Sequence, residues 1–280
     1  MKRNFRVLLE NNKWLKKVPN LLTICNSLCG FGAMLYTLHV YDNRIDAYTY
    51  DVLAVSAWLI LFAMIFDMLD GFAARLFNAA SIHGIQMDSL ADMVTFGVAP
   101  AVIVAVMAHS LRAEMRPFQY FLLWGFCAVY IGCAASRLAT YNVHAMLEKK
   151  SGEKFSGLPS PGAAAAICSL VIFYGSQKGE ISQIVRILPF YAAVLGCLMV
   201  SNIPYMHAGR WLMSVRRNRK RLFILFIILI AMYFSPFLVM VLLINAYVVS
   251  GPFTIIAKKV GLIQQNGGVG AKNKNGHSSQ

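Results

Sequence analysis

A succession of long apolar stretches constrains the fold of this chain more than any other feature. A helix that crosses a membrane needs about 20 mostly apolar residues. Apolar stretches, most of them near that length, cover residues 20–41, 52–70, 90–109, 118–138, 161–176, 187–205, 222–234 and 237–256. Charged residues make up only 14% of the chain, against about 25% in soluble globular proteins. The sequence therefore predicts an all-α, polytopic membrane helix bundle with about eight transmembrane helices. It excludes a disordered protein, a disulfide-stabilised secreted domain and a water-soluble enzyme.

Basic residues outnumber acidic residues by 26 to 12. They are concentrated in short segments between the apolar stretches, which is the pattern of membrane topology and not of a nucleic-acid-binding surface. With the N-terminus in the cytoplasm, 21 basic residues fall on the cytoplasmic side and 5 on the other. Both termini are therefore predicted to face the cytoplasm, in a multi-pass protein of a bacterial inner membrane, and no nucleic-acid partner is expected.

These patterns divide the chain into five parts. The basic run at 210–221 has two interpretations, a topological anchor or a patch for anionic phospholipid headgroups. The last two apolar stretches meet at Ser235-Pro236, either as a tight hairpin or as one long kinked helix. The predicted parts are an interfacial amphipathic segment (1–18), a transmembrane core (19–205), a basic cytoplasmic loop (206–221), a C-terminal helix pair (222–257) and a disordered cytoplasmic tail (258–280).

Four aspartates lie where an apolar membrane segment is expected to exclude charge. Asp67 and Asp70 end the apolar run AWLILFAMIFDMLD, and Asp88 and Asp92 begin the next apolar stretch. A charged side chain costs on the order of 2.5–3.5 kcal/mol at the centre of a membrane helix and less near its ends. Four neighbouring carboxylates also repel one another. A positive group is therefore expected among them.

Helical spacing places these aspartates on two stripes. The positions follow i, i+3, i+4, i+7 on one helix and i, i+4, i+8 on the next, so that each set occupies one helix face. Antiparallel packing of the two helices would bring the carboxylates together in a density that suits Mg²⁺ or Mn²⁺ in a two-metal site, and not zinc. A solvated acidic loop and the cation pathway of a transporter are the alternatives. The stripes are Asp67, Asp70, Gly71 and Ala74, followed by Gly84, Asp88 and Asp92.

Residues beside the aspartates suit a phosphorylated ligand. Gly71 and Ala74 keep the wall of the site low, so a bulky ligand can approach the metals. Arg75 adds a planar fork of donors for phosphate oxygens.

The stretch D-M-L-D-G-F-A-A-R, eight further residues and G-I-Q-M-D-S-L-A-D together resemble the signature of the CDP-alcohol phosphotransferases. All eight specified positions of the pattern D-x-x-D-G-x-x-A-R-x8-G-x-x-x-D-x-x-x-D are present with the family's spacing. Eight fixed residues recur by chance at on the order of 10⁻¹⁰ per window at average residue usage. The resemblance implies a six-helix core with two added C-terminal helices, and a homodimer, which is common among the family's members.

The resemblance also implies a role for each matching residue. Asp67, Asp70 and Asp88 correspond to metal ligands, and Asp92 to a ligand that also removes the proton of the acceptor hydroxyl. Among the positions expected at the substrate, Gly71 and Arg75 correspond to contacts with the cytidine diphosphate, and Ser81 to a small hydroxyl residue that contacts the donor in some members; Ala74 and Gly84 complete the pattern. The implied reaction is attack of an alcohol on the lipid-side phosphorus of a CDP-activated lipid, with release of CMP.

Further stretches are similar to the phosphatidylserine synthase branch of that family, which implies CDP-diacylglycerol as donor and L-serine as acceptor. Another acceptor, such as glycerol 3-phosphate or inositol phosphate, is the alternative. Arg137 has two interpretations, a ligand for the serine carboxylate or a lipid phosphate, and a snorkelling interface arginine. Asn20 and Thr23 begin the first span near the same face and are candidate nucleotide contacts, with plain capping an equal explanation for Asn20. These stretches are PNLLTICN (19–26), DSLADMVTFGVAP (88–100), SRLATYN (136–142) and GLPSP (157–161).

Overall fold

The computed structural model is an all-helical bundle, which confirms the predicted fold class. It describes residues 17–41, 47–77, 81–110, 115–147, 157–177, 182–205 and 219–259. Most of the predicted interfacial segment, most of the basic loop and most of the tail lie outside these ranges. The helices of the described part are α1 (Val18–Leu38), α2 (Ala47–Leu76), α3 (Ile82–His109), α4 (Pro117–Leu147), α5 (Ser160–Gln177), α6 (Ser182–Val200), α7 (Arg219–Phe234) and α8 (Pro236–Lys259).

Five of these helices are long and apolar enough to cross a membrane. Their spans are Val18–Leu38, Tyr48–Leu76, Ile82–His109, Pro117–His144 and Pro236–Ile255, and Ser160–Ser176 and Ile184–Val200 are shorter apolar helices. The protein is therefore a multi-pass membrane protein. The break between α7 and α8 falls at Ser235, where the sequence predicts it.

The boundaries of several helices follow from their first residues. Pro19 lies in the first turn of α1, and Pro117 and Pro236 begin α4 and α8. Proline is tolerated there because the N–H groups of a first turn make no hydrogen bond within the helix. Ser81 is the N-cap of α3, and its hydroxyl accepts a hydrogen bond from the backbone N–H of Gly84 at 3.0 Å. This cap begins α3 about two turns before its first aspartate, Asp88.

Helix α3 is the central element of the bundle. Its most apolar window is 61% buried, against 17–33% for the other four long helices. Residues Met93–Val98 form a π-helical turn directly after Asp92, and wide turns of this kind leave backbone carbonyls available to other donors. The hydroxyl of Tyr130 on α4 donates to the carbonyl of Phe96 at 2.8 Å. Thr95 Oγ1 donates to the carbonyl of Asn26 on α1 at 3.1 Å.

Helix α8 is tied to the remainder of the bundle by polar contacts. The hydroxyl of Tyr191 on α6 donates to Asn245 Oδ1 at 2.5 Å, and the hydroxyl of Tyr205 donates to the carbonyl of Val248 at 3.0 Å. Hydrogen bonds between helices are favourable in a membrane because lipid tails offer no partners. The C-terminal helix is thus part of the same packed body as α5 and α6.

Candidate active site

The acidic cluster is formed by the end of α2 and the beginning of α3. Asp67 and Asp70 lie on α2, and Asp88 lies on α3. One carboxylate oxygen from each of these three residues lies within 4.8 Å of the others. The two helix faces that the spacing defines therefore do meet, and they place three carboxylates around one point.

The polar partners of these carboxylates leave room for a cation. Asp70 is 5% exposed, and its Oδ2 accepts a hydrogen bond from the hydroxyl of Thr23 on α1 at 2.8 Å. Asp88 Oδ1 is buried and has no hydrogen-bond partner in the described ranges. A buried acceptor without a donor is unfavourable, and carboxylates in close contact repel one another. A hard divalent cation would bind the unpaired oxygen and offset the repulsion between the carboxylates, because Mg²⁺ and similar ions prefer oxygen ligands. The donor set therefore fits a metal site.

Asp92 lies one helical turn after Asp88 and is held by a different residue of α1. Asn26 Nδ2 donates to Asp92 Oδ1 at 3.2 Å. Helix α1 thus contacts an aspartate of α2 through Thr23 and an aspartate of α3 through Asn26. The orientation of both carboxylates depends on the packing of this first span.

A cavity of about 280 Å³ opens beside the acidic cluster. Its walls come from the beginning of α1, the end of α2, the beginning of α3 and Tyr141 of α4. Nine of the twelve predicted site residues line it, whereas Asp67, Asp92 and Arg137 do not. The lining residues are Pro19, Asn20, Thr23, Asp70, Gly71, Ala74, Arg75, Ser81, Gly84, Ile85, Asp88 and Tyr141.

The two glycines of the cavity wall, Gly71 and Gly84, have different surroundings. A Cβ added at Gly71 would meet nothing within 4 Å, so this glycine borders open space, as its place in the pattern predicts. A Cβ at Gly84 would lie 3.2 Å from Ser81 Oγ and 3.8 Å from Asn20 Oδ1. Gly84 therefore leaves space beside α3 for the hydroxyl of the capping serine and for the side chain of Asn20. The sequence predicts that Ser81 contacts the CDP-linked donor substrate. In the structure its hydroxyl caps α3.

Comparison with known proteins decides the family of this site. The sequence profile described as CDP-alcohol phosphatidyltransferase matches residues 16–200, which contain the whole acidic cluster and its cavity. The chain belongs to the CDP-alcohol phosphatidyltransferase family. The same residues, 16–200, span α1 to α6, so α7 and α8 lie beyond the region shared with the family profile.

Individual relatives of the phosphatidyltransferase family match most of the chain. A Helicobacter pylori (strain ATCC 700392 / 26695) protein named CDP-diacylglycerol–serine O-phosphatidyltransferase is 31% identical over 218 residues, covering 77% of this chain and 81% of the relative. A Bacillus subtilis (strain 168) protein of the same name is 32% identical over 206 residues, covering 69% of this chain and 98% of the relative. Archaetidylserine synthase of Methanothermobacter thermautotrophicus is 31% identical over 192 residues, covering 67% of this chain and 69% of the relative.

Arg137 lies apart from the cavity of this phosphatidyltransferase. Its Nη1 donates to the carbonyl of Met199 at the end of α6, at 2.8 Å. It packs against Gly157, whose φ of 90° favours glycine. A Cβ added at Gly157 would lie 2.8 Å from Arg137 Nη1. The neighbouring Leu158 N–H donates to the carbonyl of Leu198 at 3.0 Å. Arg137 therefore joins α4, the segment before α5 and the end of α6, one turn from Tyr141, which lines the cavity.

Three polar residues of the site do not appear among the sequence candidates. Tyr141 lines the cavity, Asn26 holds Asp92, and the hydroxyl of Ser89 donates to Asn142 Oδ1 on α4 at 2.6 Å. All three are polar residues in apolar helices, where such residues are uncommon and often functional. Asn26 also lies three residues after Thr23, on the same face of α1, and this spacing is the signal by which the sequence could have identified it.

Proposed function

We propose that this protein transfers the phosphatidyl group of CDP-diacylglycerol to the hydroxyl of L-serine and releases CMP. The observation that carries this proposal is the agreement of its relatives on the acceptor. The Helicobacter and Bacillus relatives share one name and the archaeal relative is named for another lipid product, but all three names contain serine. The cavity with its adjoining carboxylates supports the same chemistry, since phosphoryl transfer requires positioning of a donor beside a metal site.

The cavity suits the nucleotide part of the donor. The Arg75 guanidinium, exposed at its rim, would bind the diphosphate oxygens with its fork of N–H donors. Gly71 leaves the approach to the carboxylates open. Several large apolar side chains beside the cluster, among them Met68 and Phe72 on α2, are exposed and would contact the acyl chains of the donor. The nucleotide would thus lie in the cavity while the lipid tails remain in the bilayer.

The aspartates divide between metal binding and proton transfer. Asp67, Asp70 and Asp88, with Asp92 as a further ligand, would hold divalent cations, Mg²⁺ or Mn²⁺, which when bound neutralise the charge that develops on the transferred phosphoryl group. Asp92 accepts the proton of the serine hydroxyl as its oxygen attacks the lipid-side phosphorus. A bond forms between that oxygen and the phosphorus, the bond to the CMP oxygen breaks, and CMP leaves. Thr23 and Asn26 keep Asp70 and Asp92 in place during this exchange.

The membrane setting of the reaction follows from the charges of the sequence. We place the cavity and both termini at the cytoplasmic face of a bacterial inner membrane, where serine and CMP are soluble. We propose the same division of the chain that the sequence predicts: an interfacial amphipathic segment (1–18), a catalytic transmembrane core (19–205), a basic cytoplasmic loop (206–221), a C-terminal helix pair (222–257) and a disordered cytoplasmic tail (258–280). We also propose that the protein acts as a homodimer. Chemical cross-linking in membranes and labelling of cysteines introduced at each terminus test these assignments.

Purified protein in detergent–phospholipid micelles provides the main test. It is incubated with CDP-diacylglycerol, Mn²⁺ or Mg²⁺ and radiolabelled acceptors, and CMP and labelled lipid are measured. We expect labelled lipid from L-serine, equal amounts of CMP, and no reaction with EDTA. Label from glycerol 3-phosphate or inositol phosphate, and none from serine, would assign another acceptor. Uptake of Mn²⁺ into proteoliposomes, without CMP release from any acceptor, would indicate a cation transporter.

A further inference from the structure

Asn26 is a buried amide beside the acidic cluster whose two polar atoms have different surroundings. The residue is 0% exposed, and its Nδ2 donates to Asp92 Oδ1 at 3.2 Å. Its backbone carbonyl accepts a hydrogen bond from Thr95 Oγ1. This bond fixes the position of α1 along the axis of α3 at this point. Asn26 Oδ1 is buried and has no hydrogen-bond partner among the residues that the structure describes. Because a buried unpaired acceptor is unfavourable, the arrangement points to a ligand that donates.

The neighbouring carboxylate determines which way the amide points. An ionised carboxylate accepts hydrogen bonds and cannot donate them. Asn26 must therefore turn its N–H group to Asp92, and the amide oxygen is left to face another group. This oxygen lies beside the carboxylate that we assign to the acceptor hydroxyl. The acceptor alcohol is thus the part of the reacting system that comes closest to it.

We propose that Asn26 binds the ammonium group of an amino-alcohol acceptor through Oδ1 while its Nδ2 orients Asp92. This inference rests on the proposed function. In serine the hydroxyl and the ammonium are carried by adjacent carbon atoms, so a hydroxyl bound at Asp92 brings the ammonium to the neighbouring amide. An ammonium group only donates hydrogen bonds, and a bond that involves a charged group is shorter and stronger than one between neutral groups.

The same arrangement selects against alcohols that lack an amine. Such an acceptor would leave Asn26 Oδ1 buried and unpaired. A site built to hydrogen-bond a substrate group strongly rejects an analogue without that group. The carboxylates of the cluster are occupied by metal and proton transfer in the proposed reaction, so the amide oxygen of Asn26 is a neutral acceptor that remains for the ammonium.

The test compares L-serine with 3-hydroxypropanoate, which has the same hydroxyl and carboxylate but no amine. Asn26→Leu keeps the approximate size of the side chain and removes both polar atoms. Asn245→Leu is the matched control, because Asn245 is also an amide that joins two membrane helices, but its Oδ1 accepts from the Tyr191 hydroxyl and its Nδ2 donates to the carbonyl of Val241. Steady-state kinetics are measured with both acceptors and with CDP-diacylglycerol, and Mn²⁺ affinity is measured separately by calorimetry.

In Asn26→Leu we expect the preference for serine over 3-hydroxypropanoate, as a ratio of kcat/KM values, to fall by roughly 10- to 100-fold. The KM for CDP-diacylglycerol should not change. Turnover with both acceptors will also fall, because Asp92 loses its donor, but this loss is common to the two acceptors and cancels in the ratio. Asn245→Leu should retain the preference of the unmodified protein.

A preference for serine that survives in Asn26→Leu overturns the proposal. A weaker Mn²⁺ affinity with an unchanged acceptor preference also overturns it, because the amide would then serve the metal. If Asn26→Leu does not fold, as judged by gel filtration and thermal unfolding, Asn26→Gln provides the same comparison, since it retains both polar atoms but displaces them by one methylene. Failure of the unmodified protein to use serine would refute the proposed function itself, so the two failures are distinguishable.

Discussion

Gly30 is a point of close approach between α1 and the π-helical turn of α3. A Cβ added there would lie 2.5 Å from Thr95 Oγ1 and 2.7 Å from Thr95 Cα. Because the second atom belongs to the backbone, rotation of a side chain cannot relieve the contact. Gly30→Ala must therefore push the two helices apart. Gly32, on the same helix, is the matched control, because a Cβ added there would meet nothing within 4 Å.

The expected stability changes have opposite signs at these two glycines. Overpacking costs about 1–3 kcal/mol, and loss of the hydrogen bond from Thr95 to the Asn26 carbonyl costs about 1 kcal/mol. Alanine in place of glycine within a helix recovers about 0.5–1 kcal/mol. The net loss of unfolding free energy in Gly30→Ala is then about 1–3 kcal/mol, whereas Gly32→Ala gains the helix term alone. At about 2–4 °C per kcal/mol, Gly30→Ala should unfold roughly 2–12 °C below the unmodified protein and Gly32→Ala slightly above it.

Thermal unfolding followed by tryptophan fluorescence in one detergent, with EDTA present, measures the stability change. Turnover with CDP-diacylglycerol and serine measures the functional change. A shift of α1 moves Thr23 and Asn26 relative to Asp70 and Asp92, so we expect kcat of folded Gly30→Ala to fall by about tenfold or more. Equal midpoints for the two alanine variants would refute the close contact. A destabilised Gly30→Ala with unchanged kcat would refute the role of α1 in positioning the aspartates.

Three further predictions concern the site itself. Asp88→Asn should abolish turnover, together with the rise in unfolding midpoint that Mn²⁺ gives the unmodified protein. Its unfolding midpoint in EDTA should stay equal or rise, because one repulsive charge is removed. A normal Mn²⁺-induced rise would exclude Asp88 as a ligand. Asp92→Asn should lower kcat by at least about 100-fold but keep part of the Mn²⁺ affinity in calorimetry, and normal turnover would remove Asp92 from proton transfer. Arg75→Ala and Gly71→Leu should each raise the KM for CDP-diacylglycerol by about tenfold or more, with a smaller effect on the KM for serine, because one removes a phosphate contact and the other narrows the cavity. Gly125→Leu, at a glycine with nothing within 4 Å that lies outside the cavity, should leave both constants unchanged.

The parts of the site that the sequence predicts are those determined by spacing within one helix. Asp67 and Asp70 are three residues apart, and Asp88 follows Gly84 by four, so the face that each pair occupies follows from helical geometry alone. The short connection between α2 and α3 then makes these faces neighbours. This local information is sufficient to predict that the carboxylates converge, and the structure brings three of them within 4.8 Å.

The parts that the sequence does not predict depend on contacts between distant segments. The bond from Thr23 to Asp70 joins residues 47 positions apart, and the bond from Asn26 to Asp92 joins residues 66 apart. The π-helical turn after Asp92 has no signature in residue spacing, and its hydrogen bonds run to the distant helices α1 and α4. For Arg137 the sequence allowed a substrate contact or an interface position, and the structure adds a third description, a bond to the carbonyl of Met199.

One face of α1 connects these long-range contacts, and it changes the role of the first span. Asn20 lines the cavity, Thr23 holds Asp70, Asn26 holds Asp92, and Gly30 allows the approach to Thr95. These positions recur every three or four residues, so a single helix face carries small and polar residues while the opposite face, with exposed Leu21 and Leu28, suits lipid. A span that only anchored the protein would need no such face. Helix α1 therefore completes the site that α2 and α3 begin, because it supplies the donors that keep two of the aspartates in place.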